Sequence, residues 1–235
     1  PFAETFRVAK LEIDINLAAI TGRSKRIGVI SALPGEGKTT VAANLAFMLA
    51  AQGVRTLLVD GDIRNPGATR AIADHAKHGL LEVLKAQLTL RSATLTDGES
   101  QLNFLPCVSR RRVSQSAQIL SSPDMNEFLN EADALYDYTI VDLPPMAPIA
   151  DVRAASTLFD ALILVIEWGK TPRGLVKSLL LEDERIYDRI IGCILNKVNP
   201  SKLRLYSYNG ADEYYYYGKY SGNYSAYHEA SDRKS

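Results

Sequence analysis

Ile27-Gly-Val-Ile-Ser-Ala-Leu-Pro-Gly-Glu-Gly-Lys-Thr39 is the stretch on which the reading of this chain turns. Its first five residues form a short, nearly continuous apolar run, the pattern of a strand buried on both faces. The next eight follow the spacing G-x-x-x-x-G-K-[ST], with Ala32 in place of the first glycine. Lys38–Ala51 is then rich in Ala and Leu and stops before Gly53, as a helix does. Strand, glycine turn and helix in that order make a phosphate loop. Gly35 and Gly37 let backbone N–H groups close around an anion, and the helix start adds its positive dipole end. Pro34, Gly35, Glu36, Gly37, Lys38, Thr39 and Thr40 are therefore expected to hold the phosphates of a nucleoside triphosphate. Lys38 reaches the β- and γ-phosphates, and Thr39 offers its hydroxyl to Mg²⁺.

Outward from this loop, apolar runs recur at Thr56–Asp60, Leu102–Pro106, Tyr138–Leu143, Ala161–Glu167 and Ile190–Asn196. Helical patterns separate them, including Ser122–Tyr136, which opens Ser-Pro-Asp, and Thr171–Asp188, which opens Thr-Pro. The alternation predicts an α/β fold of the P-loop NTPase kind: a doubly wound, mostly parallel sheet flanked by helices. Two strands end in aspartate, Leu57-Leu-Val-Asp60 running on through Gly61-Asp62-Ile-Arg64, and Tyr138-Thr-Ile-Val-Asp142 running on into Leu-Pro-Pro145. Ligands of such sheets sit at the carboxyl ends of the strands, so these carboxylates should converge on the phosphate loop. Asp142, Asp62 and Thr39 are the candidates around Mg²⁺, with Asp142 able to act through water. Asp60 or Asp62 can accept a proton from an attacking hydroxyl or water, and Arg64 can pair with a phosphate or an incoming substrate. Asn196 ends the last core strand and is a candidate for the nucleobase edge. Asn199, where a guanine-binding Asn-Lys-x-Asp motif has aspartate, speaks against GTP.

The chain has 235 residues, 46% of them hydrophobic, with 27 basic and 27 acidic side chains. That composition excludes global disorder, and zero net charge argues against a nucleic-acid binder. No apolar run approaches the length of a membrane span, and no secretory leader opens the chain. Pro1 in first place suggests a trimmed piece of a longer protein, with any membrane segment lying upstream. Cys107 and Cys193 are too few for a disulfide framework or a zinc site and suit a reducing compartment. His75, His78 and His228 lack metal-ligand spacing.

Residues 1–203 read as the P-loop domain, and 204–235 as a flexible tail. Tyr206, Tyr208, Tyr214, Tyr215, Tyr216, Tyr217, Tyr220, Tyr224 and Tyr227 fall in that tail, leaving only Tyr136, Tyr138 and Tyr187 elsewhere. So many tyrosines in a polar, Gly/Ser/Asn-dotted stretch cannot all be core. Such a tail can present a phenol to a neighbour's γ-phosphate, and several phosphates would then repel one another. It can equally serve as an aromatic association surface on a nucleotide-stabilised assembly module. At the other end, residues 1–21 are expected to form an amphipathic helix with Phe2, Phe6, Ile13, Leu17 and Ile20 on one stripe, packed on its own sheet or used as an oligomer contact.

Three motifs together resemble the Walker motifs of bacterial tyrosine kinases: Ser31–Thr40 as S-A-L-P-G-E-G-K-T-T, Val59–Pro66 as V-D-G-D-I-R-N-P, and Ile140–Pro145 as I-V-D-L-P-P. The resemblance extends over essentially the whole chain, including Ile119–Leu129 as a helix entry. It departs at Val108-Ser-Arg-Arg-Arg-Val-Ser114, where the family has a proline-rich turn. It implies an ATP- and Mg²⁺-dependent protein-tyrosine kinase that autophosphorylates the C-terminal tyrosines in trans. Lys38 and Thr39 would hold ATP–Mg²⁺, Asp142 would support the metal, and Asp60 and Asp62 would serve as base and metal organiser. It also implies a homo-oligomeric ring, a transmembrane chain-length regulator as activator, a phosphotyrosine phosphatase, and a place at the inner face of the cell membrane in exopolysaccharide export. The family's ring motif Glu-x-x-Arg-x-x-Arg is matched at Glu4 and Arg7, with Lys10 in third place, where the bidentate fork is lost. The neighbouring MinD/ParA-type ATPase switches carry a second lysine where this chain has Leu33, which favours the kinase.

Overall fold

The computed structural model describes residues 2–109, 113–147 and 151–199. The nine tail tyrosines and the three arginines at 110–112 lie outside the described residues. In chain order the elements are α1 Phe2–Asn16, β1 Lys25–Ser31, α2 Lys38–Ala51, β2 Thr56–Asp60, α3 Gly67–Ile72, α4 Leu80–Leu84, α5 Leu90–Ala93, β3 Leu95–Thr96 and β4 Asn103–Leu105. There follow α6 Ser116–Leu120, α7 Pro123–Leu135, β5 Tyr138–Asp142, α8 Asp151–Ala155, β6 Ala161–Glu167, α9 Arg173–Leu181, α10 Glu184–Tyr187 and β7 Ile190–Asn196.

The seven strands form one sheet in the order β3-β4-β2-β5-β1-β6-β7. Only β3 runs antiparallel, against β4; every other neighbouring pair is parallel. Side chains on alternate strand positions feed two separate cores, as the pleat requires. On β2, Leu57 and Val59 enter the core beneath α4–α10, while Leu58 enters the core beneath α1 and α2. Because both faces are covered, these strands read as unbroken apolar runs rather than as alternating ones.

The expected helix Lys38–Ala51 forms with those bounds, and Ser122 caps α7 by accepting from the Met125 N–H at 3.1 Å. Two expectations are corrected and one strand is added. The predicted single helix over 171–188 is two, α9 and α10, because the Asp183 carboxylate accepts from the Arg185 N–H and starts a new helix there. The two-residue strand β3 was not expected; both of its residues are exposed, so no apolar run marks it. The opening helix ends at Asn16. Its stripe does pack inward: Phe6, Ile13 and Leu17 are buried in the same core as Val41, Leu45 and Leu49 of α2. The opposite face of α1, with Val8, Leu11 and Ile15, stays more than half exposed.

Candidate active site

β1 lies inside the sheet, with β5 on one side and β6 on the other, so the chain winds away from it in both directions. The crevice at such a reversal is where open α/β sheets bind ligands, and the phosphate loop leaves β1 there. Gly35 (φ 83°) and Gly37 (φ 96°) take left-handed conformations that L side chains resist. Gly37 is constrained twice: a Cβ added to it would stand 2.1 Å from Asn196 Nδ2.

Strands β2 and β5 are in register, with Asp60 opposite Asp142, so two carboxylates emerge side by side next to the loop. Asp142 is fully buried. Its Oδ2 accepts from Thr39 Oγ1 at 2.6 Å and its Oδ1 from Lys38 Nζ at 3.1 Å. Lys38 Nζ also lies 2.9 Å from Asp62 Oδ2. Burial opposes the charged form of Lys38, but Asp142 and Asp62 outweigh it and hold its pKa above the ordinary lysine value. Burial likewise pushes the Asp142 carboxyl upward against the pull of Lys38 and the Thr39 hydroxyl. Lys38, Thr39, Asp62 and Asp142 thus form one charged cluster inside a low-dielectric wall, where charge–charge contacts are strong.

Asp60 is held differently. Its Oδ2 accepts from both the backbone N–H and the hydroxyl of Thr69, each at 2.7 Å, and its Oδ1 accepts from the Asp62 N–H at 3.3 Å. Burial raises its pKa to about 7; the Thr69 bonds act against the rise and the neighbouring Asp142 charge adds to it. Asp60 is therefore bound into the turn that carries Asp62, while Asp62 faces Lys38.

The other expected site residues fall in two places. Glu36 is buried, and its carboxylate fastens the loop by accepting from the Leu33 N–H at 2.6 Å, the Glu167 N–H at 3.2 Å and the Thr171 hydroxyl. Asn196 donates its amide to the Glu36 carbonyl at 2.8 Å, which makes it a brace of the phosphate loop. Arg64 makes no hydrogen bond to the Lys38 cluster among the described residues; its pKa is raised first by its bond to Asp151, and the Asp62 charge adds to that. Its guanidinium donates to Ser116 Oγ at 2.6 Å and to both oxygens of the buried Asp151, at 3.0 and 3.3 Å, tying the Asp60–Asp62 turn to α6 and α8. Glu4 and Arg7 pair with each other on the exposed face of α1, whereas Lys10 turns to Asp14 at 2.6 Å.

The sequence reading missed Thr69, Asp151, Thr171 and Lys197, whose Nζ donates to the Gly35 carbonyl at 2.6 Å. Thr69 and Asp151 belong to no motif with a local spacing, Thr171 marks only a helix start, and Lys197 stands out only in the comparison with Asn-Lys-x-Asp.

As to a divalent cation, the cluster offers a hydroxyl and two carboxylates, all hard oxygen donors. That fits Mg²⁺, which binds through one or two carboxylates plus substrate phosphates and waters. Among the described residues no group of three or more His, Cys, Asp or Glu forms a self-sufficient metal cage, and a site completed by phosphates needs none.

Comparison with known proteins agrees with this geometry. Residues 24–190 match the family described as "AAA domain". The chain is 43% identical over 223 residues to the succinoglycan biosynthesis transport protein ExoP of Rhizobium meliloti, covering 93% of this chain but only 28% of that protein's length. It is 33% identical to the tyrosine-protein kinase YwqD of Bacillus subtilis, covering 90% of this chain and 87% of that one. The crystal structure of the VpsO kinase domain superposes with a TM-score of 0.71 at 30% identity, over 84% of this chain and 96% of that domain. The chain belongs to the bacterial tyrosine-protein kinases, and its α/β core is their P-loop kinase domain.

Proposed function

We propose that this chain transfers the γ-phosphoryl group of ATP to tyrosines of its own C-terminal cluster, Tyr206 to Tyr227, one subunit acting on the tail of the next. The observation that carries the reading is the convergence of Lys38, Thr39, Asp62 and Asp142 at the phosphate loop of a chain that also holds nine tyrosines in one short segment. In-line phosphoryl transfer needs little covalent help, so catalysis falls to positioning and charge. The loop's N–H groups and the α2 N-terminus receive the phosphates, and Lys38 neutralises charge as it develops on the transferring oxygens. Mg²⁺, when bound by Thr39, Asp142 and Asp62, supplies further charge neutralisation. Asp62, facing Lys38, is the better placed of the two turn carboxylates to take the phenolic proton. Asp60 holds the turn, and Arg64 anchors it through Asp151.

The relatives support a role in exopolysaccharide production, since ExoP is named for succinoglycan biosynthesis and transport. Action at the inner face of the membrane beside a transmembrane chain-length regulator, a ring of subunits built on α1, and reversal by a phosphotyrosine phosphatase belong to the same reading. Among the described residues no helix is long and apolar enough to cross a membrane, so the regulator would be another chain or another segment.

The test is phosphopeptide mass spectrometry on the full chain beside Lys38→Met, both purified from one host. Tail phosphotyrosine in the parent alone supports the reading; phosphate on both proteins assigns it to a host kinase and removes that support.

A further inference from the structure

β7 is one of the sheet's two edge strands, and among the described residues no strand lies beyond it. Its residues are half-buried or exposed, unlike the fully buried β2 and β5. Between β7 and α9 lies a groove of about 670 Å³. Leu181, Tyr187 and Leu195 line it and are each more than half exposed. Arg173 and Lys177, one helical turn apart on α9, stand at the same groove and make no ion pair among the described residues. The groove's acidic residue, Glu167, is already paired with Lys170 and Lys197. The surface thus combines apolar walls with two cations that have no ion-pair partner among the described residues.

We propose that this groove binds the chain's own segment Asp212-Glu-Tyr-Tyr-Tyr-Tyr217 in cis. Asp212 and Glu213 would face Arg173 and Lys177, and a phenol ring would lie on Leu181 and Leu195. Three observations select this occupant. β7 ends at Asn196 beside the groove, so the chain leaves the sheet where the groove opens. The 13 residues from Asn199 to Asp212 can reach roughly 45 Å when extended, whereas α9 is only about 13 Å long. In residues 200–235, this is the one place where two adjacent acids run directly into a block of tyrosines, which matches cations beside an apolar wall in both charge and shape. Tyrosine suits such a surface because its ring is apolar, its tip is polar and its face attracts cations. Tethering adds the rest: covalent linkage over so few residues gives an effective concentration on the order of millimolar, so individually weak contacts suffice.

The groove also adjoins the phosphate loop, since Glu167 and Thr171, which help line it, both donate to the Glu36 carboxylate. If the tail is the phosphoryl acceptor proposed above, a tyrosine docked here is withheld from the neighbouring subunit's site. That consequence rests on the proposed function; the docking itself does not.

Docking is tested without nucleotide by hydrogen exchange of the full-length chain at high dilution. Arg173→Glu with Lys177→Glu alters the groove, Asp212→Lys with Glu213→Lys alters the tail, and the four changes together restore opposite charges. Each pair alone is expected to speed exchange in Ile190–Asn196 and in the tyrosine block by about two- to tenfold, and the combination to return it toward the parent rate. Unchanged exchange in the single pairs, or no recovery in the combination, overturns the proposal. Protection in the parent that vanishes on dilution also overturns it, assigning the groove to a second copy. With ATP added, the released variants should phosphorylate the tail about two- to tenfold faster, and an unchanged rate removes the withholding role. A chain that shows the exchange pattern but incorporates no phosphate fails the kinase reading alone.

Discussion

Asp60 and Asp142 end neighbouring strands in register, yet their carboxylates serve different partners. Asp142 holds Lys38 and Thr39, while Asp60 is turned away to the backbone and hydroxyl of Thr69. The pair looks equivalent in sequence and is divided by what each oxygen bonds.

Replacing Asp142 by Asn should lower tail phosphorylation by about 10²-fold or more, the scale of losing one preorganised electrostatic partner. The isosteric amide keeps the packing, so the melting temperature should stay within a few degrees. Single-turnover transfer with Mg²⁺-ATP, measured beside a melting curve, separates the two effects.

Asp60 makes stability depend on pH. Its folded-state pKa of about 7 lies above the unfolded carboxylate value, so between roughly pH 4 and pH 7 the native state binds the extra proton. Its contribution is most favourable below the unfolded value and is lost as pH rises through 7. Asp60→Asn, which cannot ionise, should flatten the fall in melting temperature between pH 4.5 and 7.5; an undiminished fall assigns the dependence elsewhere.

Asp14 acts with the opposite sign. Hydrogen bonds from Lys10, Lys25 and Tyr138 overcome its burial and hold its pKa at about 2. Its stabilisation is present above the unfolded value near 4 and is lost as pH falls through 2. Asp14 bridges α1 to β1 and β5, so α1 should exchange its amides sooner than α2 as pH falls in this range, and Asp14→Asn should make that early opening visible already at pH 5.

The two faces of α1 should respond differently to truncation. Ile13→Ala removes a fully buried side chain and should cost about 2–5 kcal/mol in urea unfolding. Leu11→Ala, on the exposed face, should change monomer stability by about 0.5 kcal/mol or less. If subunits assemble through that face, Leu11→Asp should abolish the oligomer seen by light scattering while leaving the melting temperature of the monomer in place.

Gly37→Ala should weaken Mg²⁺-ATP binding by at least about tenfold, because its methyl group would occupy the space of the Asn196 amide and its backbone resists the left-handed turn. Adding Asn196→Gly relieves the clash but not the backbone strain, so calorimetry should show partial recovery and no more.

Much of the fold could be read from local signals. The strand–turn–helix at 27–51 and the Ser122 cap of α7 depend on residues within a turn or two of one another, and both stand where the pattern put them. The break in 171–188 was missed because Asp183 reads as one more polar residue in a helical stripe until its carboxylate is seen capping Arg185. Strand β3 escaped because two exposed residues carry no apolar pattern.

The sequence by itself determined the phosphate loop, the order of its strands and helices, and the set of carboxylates at its strand ends. Backbone conformation and apolar periodicity are written in neighbouring residues, and those suffice for such features. Only the tertiary structure decided that Asp62 and Asp142 meet Lys38 while Asp60 does not, that Arg64 hydrogen-bonds Asp151, and that Glu36, Asn196 and Lys197 hold the loop in shape. Apart from the loop's own, those bonds join residues 24 to 162 positions apart, from Lys38–Asp62 to Lys197–Gly35. A carboxylate's role is set by its oxygens' partners and by the dielectric around it, and both exist only once the sheet has brought distant strand ends together.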